Sequence, residues 1–170
     1  MKKINEENSV HAFLITGGNI GDRAMNLAKA AQLINERAGR IIQSSGVYET
    51  AAWGKPDQPP FYNQVHEIIT TMDAESLMHC LLSIEKEMGR IRTEKNASRT
   101  IDIDILFYGG RIIQNRQLII PHKEIANRRF VLMPLAEIAP LFIHPVLKQT
   151  VKELLAACTD PLEVMALASH

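Results

Sequence analysis

The chain has 170 residues, of which 46% are hydrophobic and 22% are charged, a composition typical of globular proteins and not of disordered ones. Its 19 basic residues equal its 19 acidic residues, which excludes a surface that is basic overall and suits nucleic acid or an anionic membrane. Cys80 and Cys158 form no Cys-x-x-Cys pair, so neither a disulfide framework nor a zinc site is indicated. We expect a cytoplasmic, monomeric domain at 10–160, a polar extension at 1–9 and a C-terminal tail at 161–170.

The N-terminal part of this domain predicts a strand followed by a helix. An apolar run, Ala12–Thr16, ends at Gly17-Gly18-Asn19, which indicates a strand entering a tight turn. Asp22 is a suitable N-cap, and apolar residues then recur at helical spacing as far as about Arg37. We therefore predict a helix from about Asp22 to Arg37.

The next part predicts two strands and a second helix. Ile41–Thr50 and Val65–Thr71 have the β-branched and aromatic composition of strands. Between them, Ala51–Tyr62 contains three prolines and is predicted to be irregular. Asp73 begins a helix with an apolar stripe, and Gly89 ends it.

The last part predicts one regular strand, a hairpin and short helices. Thr100–Tyr108 has the clearest alternation of polar and apolar residues in the chain. Ile112-Ile113 and Leu118–Ile120 suggest a hairpin. Helical spacing then returns, and three prolines are expected to break it. The helical segments include Ile125, Val131–Ile138 and Val151–Ala157, and the prolines are Pro134, Pro140 and Pro145.

The order strand, helix, strand, strand, helix, strand is that of a ferredoxin-like βαββαβ core. We therefore predict an α+β fold with a mostly antiparallel sheet and two helices packed on one face. The added hairpin and the short C-terminal helices would cover the other face. The complete domain would then be a three-layer α/β/α sandwich.

Two acids in the last strand are the strongest chemical feature. Asp102 and Asp104 are two residues apart, so both carboxylates share one face, with Cα atoms about 6.5 Å apart. The other strand positions are expected to enter the core, namely Ile101, Ile103, Ile105 and Phe107. Oxygen ligands on a rigid element suit Mg²⁺, which takes water and phosphate oxygens as its remaining ligands. The alternative is an exposed edge-strand face that carries two solvated acids.

A group of cations precedes this strand. Its members are Arg90, Arg92, Lys95 and Arg99. Cations beside a carboxylate pair are what a metal–polyphosphate complex requires, because the acids hold the metal and the cations bind phosphate oxygens. Taken alone, the cations could belong to a solvated loop, or to a ferredoxin-like nucleic-acid or small-molecule binding module without catalysis. The acid pair argues against such a module, because a surface that only grips phosphate gains nothing from two carboxylates.

The sequence around the acids resembles the signature of the 6-hydroxymethyl-7,8-dihydropterin pyrophosphokinase family. Lys95–Ser98 followed by Arg99–Leu106 fits the family pattern of a basic residue, small residues, Arg-Thr and two aspartates separated by one apolar residue. Further segments that fit the family occur in the same order, over roughly Phe13 to Pro145. They are Gly17–Asp22, Tyr48–Thr50, Gln58–Asn63, Glu85–Arg92, Pro121-His122, Asn127–Phe130, Pro134-Leu135 and Glu137–Pro140.

This resemblance implies that diphosphate is transferred from ATP to the pterin hydroxymethyl group, with release of AMP, in folate biosynthesis. Asp102 and Asp104 would hold two Mg²⁺ ions, while Arg90 and Arg99 would stabilise charge on the phosphates. Other residues would contact ATP, namely Glu85, Arg92, Lys95, His122 and Arg128. Others would bind the pterin between two aromatic faces, namely Thr50, Ala51, Ala52, Trp53, Phe61, Asn63 and Phe130. The partners implied are ATP and a pterin, with no nucleic acid and no membrane.

The chain also departs from the family pattern at several positions. Asn96 stands where some members have a tryptophan that closes over the site, and Trp53 could supply an aromatic lid instead. Lys123 and Arg129 replace the common tyrosine and glycine. These departures concern closure of the loops and leave the expected metal site unchanged.

Overall fold

The computed structural model describes residues 8–52, 57–89 and 100–168. The strands are β1 (Val10–Gly18), β2 (Arg40–Ser44), β3 (Tyr48–Thr50), β4 (Phe61–Thr70), β5 (Asp102–Tyr108), β6 (Ile113–Gln114), β7 (Ile119–Ile120) and β8 (Val164–Ala166). The helices are α1 (Arg23–Arg37), α2 (Ala74–Glu87), α3 (Arg129–Ile138) and α4 (Val151–Ala157). A short 3₁₀ turn, Ile125–Asn127, precedes α3. Within the described ranges, no helix has the length and apolar character needed to cross a membrane.

The main sheet is antiparallel and has the strand order β5-β1-β4-β3-β8, while β2 pairs with the other end of β4. β6 and β7 form the predicted hairpin as a separate two-stranded sheet. The first strand of the chain therefore lies between β4 and β5. This is the ferredoxin-like arrangement that the order of elements predicted, and the prediction is confirmed.

A hydrophobic core lies on each face of the main sheet. On β1, Leu14 joins the cluster that includes residues of α1 and α2, whereas Phe13 joins the cluster that includes residues of α3 and α4. The alternation of side chains along a strand explains how one strand supplies both cores. The three-layer α/β/α sandwich is confirmed.

The predicted helix starts are confirmed by their caps. The side chain of Asp22 accepts a hydrogen bond from the Met25 N–H at 3.0 Å, and that of Asp73 accepts from the Ser76 N–H at 2.8 Å. Each carboxylate satisfies an N–H that has no partner within the helix. Local sequence chemistry therefore determines where α1 and α2 begin.

The segment Ile41–Thr50 was expected to be one strand, but it forms two, β2 and β3. The break lies at Ser45, whose hydroxyl accepts a hydrogen bond from the Val65 N–H at 2.9 Å. The Ser45 N–H donates to the Val65 carbonyl at 2.9 Å. A side chain thus replaces one backbone acceptor of the ladder, which lets the chain change direction before β3. β4 also begins earlier than expected, at Phe61.

Two other expectations about the core were wrong. Pro134 was expected to break the helical segment, but it lies inside α3 and is buried. Its packing offsets the loss of one backbone hydrogen bond.

Phe107 was expected to share a face with Ile105, but it packs in the second core. The register between β1 and β5 shifts between Phe13 and Leu14, which explains the change of face.

Strand β8 was not predicted. It lies in the segment that was expected to be a tail, and Val164 pairs with Thr50 at the edge of the sheet. Residues 164–166 have no alternating pattern long enough to indicate a strand. Their strand conformation depends on the edge that β3 offers.

His66 predicts a dependence of stability on pH. The residue is 1% exposed, and burial lowers the pKa of its imidazole to about 4. The unfolded chain binds the proton near pH 6.5, so acidification between these values favours unfolding. We expect His66 to account for about 2 to 3 kcal/mol of the unfolding free energy lost between pH 7 and pH 4.5.

Urea denaturation at several pH values would measure this loss. His66→Gln should flatten the dependence on pH, although burial also lowers the pKa values of His122 and His144, so some dependence should remain. His79→Gln, at an exposed position on α2, is the matched control and should leave the slope unchanged. Equal slopes for the wild type and His66→Gln would contradict the prediction.

Candidate active site

The two acids of β5 line a cavity on the sheet face that α3 covers. Asp102 and Asp104 are both half-buried, and the cavity has a volume of about 480 Å³. This volume is within the range of small-molecule sites. The neighbouring residues Ile103 and Ile105 point to the opposite core, as the alternation predicted.

The register of the sheet places residues that are far apart in the sequence side by side on the cavity wall. Gly17 of β1 pairs with Asp102 of β5 on one side and with Asn63 of β4 on the other. In the next strand, Thr50 pairs with Phe61. Directly paired residues share a face, so the acids and the predicted pterin contacts lie along one surface.

Because Gly17 has no side chain, the Asn63 side chain can occupy the space that a Cβ atom at position 17 would fill. A Cβ atom at position 17 would lie 2.2 Å from the Asn63 Oδ1 atom, and 3.2 Å from the Tyr62 carbonyl oxygen. Any larger residue at position 17 would therefore displace the Asn63 amide. The sequence marked Gly17 only as part of a turn, and its role beside Asn63 depends on the register.

Thr50 carries an unsatisfied polar atom at the same end of the cavity. Its side chain is 2% exposed, and its Oγ1 atom has no hydrogen-bond partner in the part of the chain that the structure describes. An unpaired buried hydroxyl costs free energy, so this atom suits a polar ligand edge. Phe61, Ala51 and Phe130 also line this end, whereas Ala52 is buried outside the cavity wall.

The other predicted ligand contacts lie near the acids. His122 and Arg128 both line the cavity, and the Arg128 guanidinium lies 5.7 Å from the centre of the Phe130 ring. Burial lowers the pKa of His122, and the positive charge of Arg128 lowers it further. The His122 Nδ1 atom accepts a hydrogen bond from the Glu124 N–H at 3.1 Å. The neutral ring therefore carries its proton on Nε2, which can donate to a ligand.

Glu85, for which the resemblance implies a contact with ATP, also supports the strand that carries the acids. It is 2% exposed and is not among the described residues that line the cavity, and its contact with ATP stays a prediction. Its Oε1 atom accepts a hydrogen bond from the Ile103 N–H at 2.7 Å. Ile103 lies between the two acids on an edge strand, so Glu85 supports the strand that carries them. The sequence did not predict this hydrogen bond, because the bond joins two residues that are 18 positions apart.

Two further residues, which the sequence did not identify as site residues, hold the end of the segment between β3 and β4. Asn19 donates from Nδ2 to the Pro59 carbonyl at 3.1 Å, and Arg23 donates from Nη1 to the Pro60 carbonyl at 2.8 Å. These bonds tie the turn after β1 to the residues just before β4. No periodic pattern links positions nearly 40 residues apart, so only the structure reveals them.

The segment after α4 also belongs to the cavity wall. The cavity is lined there by Thr159, Asp160, Pro161 and Leu162, although the sequence placed no site residue in this segment.

Several predicted site residues lie outside the described residues, namely Trp53, Arg90, Arg92, Lys95 and Arg99. Their roles stay predictions.

The chain is similar to known proteins in sequence and in fold. The family model described as 7,8-dihydro-6-hydroxymethylpterin-pyrophosphokinase (HPPK) matches residues 13–140. The 2-amino-4-hydroxy-6-hydroxymethyldihydropteridine pyrophosphokinase of Methylorubrum extorquens is 40% identical over 146 residues, which cover 85% of this chain and 91% of that protein. The folic acid synthesis protein of Pneumocystis carinii is 37% identical over 146 residues, covering 84% of this chain and 20% of that protein. The chain thus spans about a fifth of the Pneumocystis protein.

A solved structure shares the fold. The Plasmodium falciparum HPPK-DHPS structure with pteroate superimposes with a TM-score of 0.72 at 19% identity, covering 92% of this chain and 43% of that chain. At this identity the likeness supports the fold alone. The match of the family model over most of the chain, together with the 40% identical relative, supports the wider conclusion. The chain belongs to the 7,8-dihydro-6-hydroxymethylpterin-pyrophosphokinase family.

Proposed function

We propose that the chain transfers diphosphate from ATP to the hydroxymethyl oxygen of 6-hydroxymethyl-7,8-dihydropterin and releases AMP. The pairing of Gly17 with both Asp102 and Asn63 carries this proposal. It joins an acid pair suited to a metal and an amide suited to a pterin edge along one wall of a single cavity. A module that only bound phosphate would have no use for this combination.

Asp102 and Asp104 would hold Mg²⁺, with two ions expected from the resemblance to the family. The donor set fits, because both carboxylates are half-buried on a rigid strand and face the cavity. In the described ranges, no group of three or more His, Cys, Asp or Glu side chains could hold a metal. Two carboxylates leave positions for water and phosphate oxygens, as Mg²⁺ prefers. Bound Mg²⁺ would neutralise phosphate charge and align the reacting groups.

The chain's own residues would position both substrates. His122 would donate from Nε2, and Arg128 would bind phosphate oxygens through its guanidinium. Phe61 and Phe130 would enclose the flat pterin ring, while the Thr50 hydroxyl and the Asn63 amide would hydrogen-bond its polar edge. Such positioning supplies much of the rate in phosphoryl transfer, because the protein forms no covalent bond with the substrate.

The remaining expectations are parts of this proposal that need their own tests. Arg90 and Arg99 would stabilise charge on the phosphates, and Arg92 and Lys95 would contact ATP. A cytoplasmic location, a monomeric state and the absence of a nucleic-acid partner stay predictions.

Identification of the nucleotide product tests the reaction directly. The chain is incubated with ATP, MgCl₂ and 6-hydroxymethyl-7,8-dihydropterin, and the products are separated by chromatography. AMP together with a pterin diphosphate is the expected result. Formation of ADP would indicate transfer of a single phosphoryl group, and no turnover would favour the binding module; either result would contradict the proposal.

Asp104→Asn tests the metal site with a nearly isosteric change. Loss of one carboxylate should reduce kcat by about a thousandfold or more, because a metal supplies several kcal/mol of charge stabilisation. Titration calorimetry should also show weaker binding of ATP in the presence of Mg²⁺. The thermal transition should change little, since Asp104 lines a cavity and not the packed core.

Glu75→Gln is the matched control for this charge loss. Glu75 is exposed on α2, which packs on the other face of the sheet, so its substitution should leave kcat unchanged. If Asp104→Asn raised only the KM for the pterin and kept kcat, the metal assignment would be wrong.

Gly17→Ala tests the position of the Asn63 amide. The new methyl group would displace Asn63 Oδ1 and remove a hydrogen bond to the pterin, so we expect about tenfold weaker pterin binding. Pterin fluorescence would report the affinity. Gly110→Ala is the control, because a Cβ at that exposed glycine meets nothing within 4 Å. Equal pterin affinities for the two variants would refute this role of Asn63.

A further inference from the structure

The segment between α4 and β8 returns to the cavity and forms part of its wall. Thr159 to Leu162 line the cavity, and β8 follows directly. Val164 pairs with Thr50, which carries the unsatisfied hydroxyl described above. This register places Leu162 close to the end of the cavity that we assign to the pterin.

The side chain of Arg129 holds this segment by hydrogen bonds to the segment's main-chain carbonyls. Its Nη2 atom donates a hydrogen bond to the Cys158 carbonyl at 3.0 Å, and its Nε atom donates to the Asp160 carbonyl at 3.3 Å. Arg129 is half-buried, which limits competition from water. A glycine at this position would have no side chain to make either bond.

Asp160 completes the connection in the opposite direction. Its Oδ2 atom accepts from the Arg129 N–H at 3.0 Å, and its Oδ1 atom accepts from the Leu162 N–H at 3.0 Å. The Arg129 N–H is the first of α3 and has no acceptor within the helix. Arg128, at the cap position, provides no capping side chain. A carboxylate from a distant segment therefore caps α3, where negative charge is favourable.

We propose that Arg129 and Asp160 are positioning residues that set the affinity for the pterin. Together they join the wall segment 158–162 to the first turn of α3, which carries Phe130. Movement of either part would alter the aromatic slot and the wall beside it. This inference rests on the proposed function and adds a role for two residues that do not themselves need to touch the pterin ring.

Separate affinities for the pterin and for ATP test this role. Asp160→Ala removes both carboxylate bonds, and Arg129→Gln removes the guanidinium. We expect each variant to bind the pterin about tenfold more weakly, while ATP affinity stays within about twofold. At saturating pterin, kcat should stay close to the wild-type value. Glu163→Gln, at an exposed acid of the same segment, is the matched control and should change neither affinity.

Conservative variants separate positioning from general stability. Arg129→Lys keeps the charge and Asp160→Asn keeps one acceptor oxygen, so each should recover part of the pterin affinity. Equal weakening of pterin and ATP binding, or unchanged pterin affinity in a folded Asp160→Ala variant, would overturn the inference. Failure of the wild-type chain to bind or convert the pterin would instead refute the proposed function, so the two failures are distinguishable.

Discussion

The pairing of β1 with β4 and β5 is the constraint on which the site depends. Gly17 lies between Asn63 and Asp102, and its missing side chain leaves room for the Asn63 amide. A slip of one residue in either ladder would turn one of these side chains to the opposite core. The two hydrophobic clusters oppose such a slip, because it would expose apolar residues and bury polar ones. Core packing therefore determines the distance between Asp102 and Asn63 along the cavity wall.

Helix α3 is held at both ends by carboxylates. At its start, Asp160 accepts from the Arg129 N–H. Near its end, Glu137 accepts from the Gly46 N–H at 2.7 Å and from the Tyr48 hydroxyl at 2.8 Å. Burial and this bond raise the pKa of Tyr48 to about 12, so the hydroxyl stays a donor at neutral pH. The helix that covers the site is thus fixed to β3 and to the segment before β8, and both contacts join residues far apart in the chain.

Sequence patterns predicted the elements well where the determining chemistry is local. Asp22 and Asp73 begin their helices as expected, and alternation correctly placed Asp102 and Asp104 on one face. The predictions were wrong where a distant contact intervened. Ser45 divides a predicted strand because its hydroxyl replaces a backbone acceptor for Val65. The bond from Ile103 to Glu85 was not predicted either, because it joins a helix to a strand 18 residues further along. Neither contact leaves a periodic signal.

The sequence by itself determined the order of elements, the acid pair and the resemblance to a pyrophosphokinase family, because periodicity, capping and short motifs act over a few neighbouring residues. Only the tertiary structure decided that Thr50, Asn63 and Asp102 share one wall and that residues 159–162 complete the cavity. These relations depend on strand register and on hydrogen bonds between residues far apart in the chain. Such contacts form when the two cores pack against the sheet, and no local pattern encodes them.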